Sequence, residues 1–346
     1  MKTSDFDFNL PKELLAEYPS IKRDGSRLMV IDRAKQSIEH RYFREIHEMF
    51  EKGDLLVRNS TKVKPVRFLA KKEIAKGAKL EVLLLNNTSG SSWEAFIDPL
   101  VKVKVGTKLL FGEGKVIAEI TEIIKQRSVI LNFIQPSDVV ELQRLLKEFG
   151  KMPLPRYIKR LPGDVDFERY QTVYADKETA LAAPTSGLHF TDDLFEKIRQ
   201  KGVGISDLNL EIGLGTFNPV YAEKLDDHEM HLERFHIPAE TSKIINSHIE
   251  ENKRVVTLGT TSIRSTEAAF RNGKVQSGDF DTSIFIHPPY KFKVANALIT
   301  NFHTPRSTLL MLVCAFGGYD LIMNAYQEAI ENNYRFYSYG DSMMIV

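Results

Sequence analysis

ALITNFHTPRSTLLMLVCAFGG, residues 297–318, sets an apolar strand, a polar turn and a buried helix in direct succession. Ala297 to Thr300 reads as a short buried strand, and Asn301-Phe302-His303-Thr304-Pro305 breaks it. Ser307 is placed to cap a helix through Leu309, Leu310, Met311, Leu312 and Val313, which Gly317-Gly318 stops. The helix is apolar on every face and so belongs in a core. Its N-terminal end, where unpaired N–H groups and the positive end of the dipole lie, opens beside His303 and Arg306. A polar or anionic ligand suits such an end. So does a plain core helix with a satisfied histidine in its entry loop, and these residues alone leave both readings open.

Upstream, the same grammar recurs. Arg254 to Leu258 is a strand, Gly259-Thr260-Thr261-Ser262 a hydroxyl-rich turn, and Ser262 or Ser265 a cap for the helix that follows. Such turns hold carboxylates or phosphates by backbone donors and dipole, with Arg264 available as a fork. Leu208, Leu210 and Ile212 alternate with polar residues in a strand that runs into Gly213-Leu214-Gly215-Thr216-Phe217. That glycine pair lacks the third glycine of a dinucleotide fingerprint and the lysine of a P-loop. Thr191 caps a helix ending before Gly202, and the Pro/Gly loop Ala182 to Phe190 delivers His189 to its N-terminus. Residues 226–233, DDHEMHLE, concentrate carboxylates and imidazoles without HExxH spacing, so no metal is expected. Glu233 and His231 read as proton-transfer groups or as surface residues.

Towards the N-terminus, PKELLAEY reads as a short amphipathic helix closed by Pro19, and Leu28 to Ile31 and Leu55 to Val57 as buried strands. From Val63 to Gln135 helical periodicity gives way to short β-rich runs separated by Gly, Asn and Ser, the pattern of a small barrel or sandwich. Ser137 to Phe149 is a returning helix capped by Ser137. The expected fold is therefore mixed α/β (α+β): a larger α/β domain, residues 1–62 and 152–346, interrupted by an inserted β-barrel-like domain, residues 63–151. The tail from Tyr334 reads as an aromatic strand followed by a turn.

Composition narrows the function. Forty-seven basic against forty-six acidic residues leave a formal charge of +1, so any RNA contact must use a local patch. Lys151, Arg156, Lys159 and Arg160, interleaved with Tyr157 and prolines, form the best such run, beside Arg23 and Arg27. One cysteine, Cys314, sits inside the apolar helix as a packing residue and excludes an internal disulfide. No apolar run approaches the ~18 residues of a membrane span, and the start lacks the regions of a signal peptide. A cytoplasmic, non-membrane protein is expected.

Together, LPKELLAEYP, RDGSRLMVIDR, GDLLVRNSTKVKPVR, KMPLPRYIKR, YQTVYA, AAPTSGLHF, GLGTFNPV, DHEMHLE, GTTSIRSTE, TSIFIHPPYKF, LITNFHTPRSTLLMLV and YRFYSYGDSMMI, in this order, resemble the S-adenosylmethionine:tRNA ribosyltransferase-isomerases of queuosine biosynthesis. The resemblance spans the chain. It departs at Glu211, where the family usually has His, at Ala295-Asn296 for Val-Asp, at Pro289 and Thr179 for Gly, and at Arg156 for Pro. It implies transfer and isomerisation of the ribosyl part of S-adenosylmethionine onto 7-aminomethyl-7-deazaguanine at the tRNA wobble position. Epoxyqueuosine forms, and adenine and methionine leave. The sulfonium acidifies the neighbouring 5′-carbon, so a base is needed, and the leaving adenine favours an acid.

The resemblance assigns Glu233 or His231 as base and His189 or His303 as acid. Gly213, Gly215, Thr216, Thr260, Thr261, Ser262, Arg264 and Asn301 are expected to hold the cosubstrate. Arg23, Arg27, Lys62, Arg67, Arg156 and Arg160 are expected to contact the anticodon stem-loop, with Phe190, Phe217, Phe302 or Tyr339 stacking on a flipped base. Oligomeric state stays open, a monomer being one option. The rivals are a diverged paralogue with another acceptor and a noncatalytic tRNA-binding protein.

Overall fold

Alternate side chains of the strand Ala297–Asn301 leave the backbone in opposite directions, and both directions are apolar. Leu298 joins one hydrophobic cluster with Met29, Ile31, Met343 and Ile345; Ala297 and Ile299 join another with Leu28, Val30 and Met344. A strand of this kind needs cover on both faces. Helices Thr308–Gly317 and Tyr319–Glu331 cover one, and helix Asp192–Gln200 with the turn Phe43–Met49 the other. The computed structural model describes residues 1–73, 79–124, 128–213, 220 and 222–346. They sort into two units: Met1–Lys62, Pro155–Leu161 and Arg169–Val346 form one, Val63–Leu154 and Pro162–Glu168 the other.

The larger unit is built on a nine-stranded sheet in the order Gly278–Thr282, Glu233–Ile237, Gly204–Leu210, Leu55–Asn59, Val255–Leu258, Ala297–Asn301, Ser342–Ile345, Arg27–Asp32, Ser37–Tyr42. Four neighbouring strands, from Gly204–Leu210 to Ala297–Asn301, run parallel. Their carboxyl ends therefore share one edge, where the turns seen in the sequence gather. The smaller unit is a closed six-stranded barrel of Arg67–Lys72, Lys79–Ser89, Ser92–Asp98, Lys108–Phe111, Val116–Ile123 and Ser128–Gln135. Phe68, Val82, Ile97, Phe111 and Leu131 fill it, and helix Val139–Phe149 adds Leu142, Leu145 and Leu146 to the same core. The mixed α/β fold with an embedded barrel is thus as the sequence implied.

Several elements differ in detail. PKELLAEY makes only the short 3₁₀ turn Lys12–Leu14, because the chain beyond it bonds to the tail: Ala16 N–H donates to Phe336 O at 3.3 Å and Phe336 N–H to Leu14 O at 2.8 Å. Asp138, not Ser137, caps the returning helix, accepting from Val140 N at 2.9 Å. The tail strand is confined to Ser342–Ile345; Arg335 to Gly340 is a loop in which Tyr337 has φ +73°. Ser307 and Thr191 cap their helices as expected, and Cys314 is buried. Among the described residues, no single helix is long and apolar enough to cross a membrane.

Candidate active site

A cleft of about 690 Å³, counting its open mouth, lies at the carboxyl ends of the parallel strands. Ile212 follows Gly204–Leu210, Gly259 to Thr261 follow Val255–Leu258, and Asn301 to Thr304 close Ala297–Asn301; all line it. Open α/β sheets bind ligands at this edge because helix N-termini and loops, not packed side chains, face it there. Ala183 to Ser186 of the 3₁₀ turn region, with Ser307, Leu309, Tyr337 and Ser338, complete the wall.

Two backbone positions shape the cleft. Gly259 has φ +87°, which lets the chain turn from strand into the helix Gly259–Ala269 without a linker, and a Cβ there would stand 3.5 Å from Ser186 Oγ. Tyr337 occupies the left-handed region without being glycine, a conformation that surrounding contacts must hold. They are present: Tyr337 N–H donates to Phe302 O at 3.0 Å, its ring packs at a tilt against Tyr157 with centroids 4.3 Å apart, and Ser338 N–H donates to Tyr157 Oη at 3.0 Å.

Of the residues expected to hold the cosubstrate, Thr260, Thr261 and Asn301 line the cleft. Two buried polar atoms on this wall, Thr261 Oγ1 and Asn301 Oδ1, have no hydrogen-bond partner among the described residues. Ser262 instead donates its hydroxyl back to Leu258 O at 2.8 Å, and the helix begins at Gly259, so Ser262 is neither cap nor cradle. Arg264 is buried against Glu233, and its Nη2 donates to Ile284 O at 3.4 Å. Neither partner of that ion pair lines the cleft. One nitrogen of the Arg264 fork, Nη1, donates to the carboxylate of Glu233, the expected base, while Nε is buried with no hydrogen-bond partner among the described residues. Gly213 lies next to Ile212 without lining the cleft, while Gly215 and Thr216, like Phe217, fall outside the described residues.

The histidines separate. His231 is exposed and does not line the cleft. His303 does, with Nε2 3.0 Å from Thr300 Oγ1 and its backbone N–H donated to Tyr326 Oη at 2.9 Å. Burial brings its pKa down to about 3. His189 sits one layer back, its ring against Phe43 at 4.9 Å, Nδ1 2.8 Å from Ser26 Oγ and Nε2 3.0 Å from Asn301 Nδ2. Burial first, then the positive charges of Arg335, Arg169 and Arg23, bring it to about 3 as well. Both imidazoles are proton-poor at neutral pH, which removes the imidazolium an acid would use. The departures at Glu211 and Asn296 do not line the cleft; Asn296 Oδ1 accepts from Val255 N at 2.8 Å, a bond that aligns two strands.

The cations also divide. Lys62 pairs with Glu178 at 3.2 Å, Arg67 in the barrel unit with Glu81 at 2.7 Å, and Arg27 stacks on Tyr334 at 3.7 Å while donating to Asn332 O. Arg156 is exposed. Arg160 donates to Glu17 O at 3.0 Å, Arg335 to Tyr18 O at 3.4 Å and Arg169 to Ile21 O at 3.2 Å, while Arg23 of the same loop donates to Gln171 O at 2.9 Å. Four guanidinium groups thus crowd one loop, on which Ile21 is 99% and Tyr18 59% exposed. Phe190 and Tyr339 are buried away from the cleft, whereas Phe302, also buried, lines it. Local sequence patterns single out neither Arg169 and Arg335 nor the cleft walls from Ala183 and Tyr337, although the motifs AAPTSGLHF and YRFYSYGDSMMI carry both walls.

The arrangement defines an α/β protein with a neutral, hydroxyl-lined small-molecule cleft at the carboxyl edge of its sheet. The family of queuosine biosynthesis proteins matches residues 3–345. The chain is 49% identical to the S-adenosylmethionine:tRNA ribosyltransferase-isomerase of Thermosipho africanus and 45% identical to that of Flavobacterium psychrophilum, each over the full length of both proteins. A crystal structure of the S-adenosylmethionine tRNA ribosyltransferase from Thermotoga maritima is similar with a TM-score of 0.56 and 38% identity, covering 99% of this chain and 100% of that one. The chain belongs to the S-adenosylmethionine:tRNA ribosyltransferase-isomerase family.

Proposed function

We propose that this chain is an enzyme that transfers and isomerises the ribosyl part of S-adenosylmethionine onto 7-aminomethyl-7-deazaguanine at the wobble position of tRNA. The product is epoxyqueuosine-tRNA, and adenine and methionine are released. The reading includes a cytoplasmic location, a catalytic domain of residues 1–62 and 152–346, and an inserted barrel domain of residues 63–151. One observation carries it: the family's turns APTSG, GTTS, TNFHT and YSYG converge on one cleft whose wall holds two polar atoms unsatisfied among the described residues. Buried polar atoms without partners are costly, so a polar ligand there offsets a standing penalty.

Thr260, Thr261 and Asn301 are proposed to hold the cosubstrate, with the first turn of the helix Gly259–Ala269 supplying backbone donors. The cosubstrate supplies the ribosyl group and a sulfonium that acidifies the adjoining carbon. His303 is the proposed proton-transfer residue, because among Glu233, His231, His189 and His303 it alone lines the cleft. Being proton-free at neutral pH, it enters the reaction as a proton acceptor rather than an acid, and a weak one, because the burial that removes its proton also disfavours the imidazolium. His303→Ala is expected to lower kcat by roughly 10²-fold with tRNA affinity retained. Arg23 and Arg160, at the exposed loop of Tyr18 and Ile21, and the exposed Arg156 are the proposed tRNA backbone contacts.

The deciding experiment is nucleoside mass spectrometry of tRNA bearing 7-aminomethyl-7-deazaguanine after incubation with the protein and S-adenosylmethionine, with adenine assayed alongside. Epoxyqueuosine with matching adenine is expected. Adenine without the modified nucleoside would move the reading to another acceptor, and neither product from folded, tRNA-binding protein would replace it with a binding protein.

A further inference from the structure

We infer that Asn301 presents its side-chain carbonyl as a fixed acceptor for a neutral O–H or N–H of the cosubstrate, and that His189 is the positioning residue that fixes it. The inference rests on the ribosyltransferase-isomerase reading, since it names the ligand of the same cleft.

The argument begins with the amide's orientation. Asn301 Nδ2 lies 3.2 Å from Tyr337 O and 3.4 Å from Asp341 O. Both are backbone carbonyls, which only accept, so the atom facing them must be the NH₂ and not the amide oxygen. The same NH₂ lies 3.0 Å from His189 Nε2, which must then accept. The proton of a neutral imidazole is thereby on Nδ1, where it donates to Ser26 Oγ at 2.8 Å. An imidazolium would aim an N–H at an N–H, so the geometry itself demands the neutral ring. Burial of His189 supports this state.

Every donor of the amide is engaged, and among the described residues its oxygen is not: Asn301 Oδ1 is buried without a partner there, and Asn301 lines the cleft. An amide oxygen only accepts, so its missing partner is a donor. Among the described residues the cleft wall contains no Asp, Glu, Lys or Arg. An ammonium bound against it would lie buried without a counter-charge, a costly arrangement. The matching donor is therefore neutral. S-Adenosylmethionine has two such kinds, the ribose hydroxyls and the exocyclic amine of adenine. Thr261 Oγ1, also buried on this wall and unpartnered among the described residues, both donates and accepts and suits either.

The test measures Kd by calorimetry and KM and kcat by base release, using the full chain with S-adenosylmethionine and its 2′-deoxy, 3′-deoxy and 6-deamino forms. Wild type is expected to bind at least one analogue about tenfold more weakly than the parent compound. The analogue affected identifies ribose or base as the source. Asn301→Ala should weaken the parent and erase that discrimination; equal discrimination by wild type and N301A, or none by wild type, would overturn the acceptor role.

His189→Phe keeps the packing against Phe43 and removes the acceptor, so Kd and KM should rise roughly 3–10-fold with kcat changed less. His189→Gln, whose carbonyl accepts from the same NH₂, should recover most of that loss. An unchanged Kd in H189F, or H189Q no better than H189F, would overturn the positioning role. Ser26→Ala frees Nδ1 and should raise Kd in the same direction; it decides the matter if H189F fails to fold, an unchanged Kd counting against the relay. Wild type that shows the discrimination but makes no modified nucleoside would sink the proposed activity and leave this inference standing.

Discussion

A free imidazole titrates near 6.5, whereas burial brings His189 and His303 down to about 3. The folded-state pKa is depressed, so the unfolded chain takes up these protons first as pH falls. Their contribution to stability is complete above pH 6.5 and is lost progressively between 6.5 and about 3. Urea unfolding measured from pH 7 to 4.5 should show stability falling with acid, and H189Q should reduce the slope by up to ~1.4 kcal/mol per pH unit. Glu233 gives a second check. Its side chain and that of Arg264 are about 5% and 4% exposed, so Glu233→Gln leaves a buried cation without its counter-ion. A loss of about 3–5 kcal/mol in unfolding free energy is expected. Lost kcat with unchanged stability would instead restore Glu233 as a base. Sequence marked Glu233 and Arg264 as chemically able but gave no sign that they would meet. They lie on a strand and a helix that only the sheet order brings together.

Elements were more legible than residues where a local signal was strong. Ser307 and Thr191 cap by bonding a backbone N–H three residues on, a contact contained within one turn. Gly150 ends the helix Val139–Phe149, and the fold shows why glycine stands there: a Cβ would meet Pro65 O at 1.9 Å. Gly150→Ala should therefore lower the unfolding free energy by more than the ~0.5 kcal/mol typical of surface changes, with a lower urea midpoint followed by the fluorescence of the single Trp93. A midpoint equal to wild type would mean the helix end can shift at no cost. The PKELLAEY segment was misread for the opposite reason. Its periodicity was real, but backbone bonds to a tail more than three hundred residues away, such as Phe336 N–H to Leu14 O, outcompeted its own helix.

At the scale of the whole molecule, a formal charge of +1 supplies no general attraction for RNA. Binding should come from few phosphate contacts and carry a modest salt dependence. Arg156→Ala and Arg160→Ala, compared by titrating tRNA at several salt concentrations, are each expected to reduce the slope of log Kd against log salt by about 1 and to weaken all tRNAs alike. A slope unchanged in both would place the RNA elsewhere. Sequence by itself determined the mixed α/β class, the embedded barrel and the turns that carry the family's motifs, because hydrophobic period, turn residues and caps act over a few neighbours. Tertiary structure alone decided which of those turns became one site. The sheet order and the packing around it put four distant loops on a single edge, paired Glu233 with Arg264 away from the cleft, and buried His189 behind Asn301. Burial and charge pairing depend on which surfaces the whole chain brings together, and no local pattern records that.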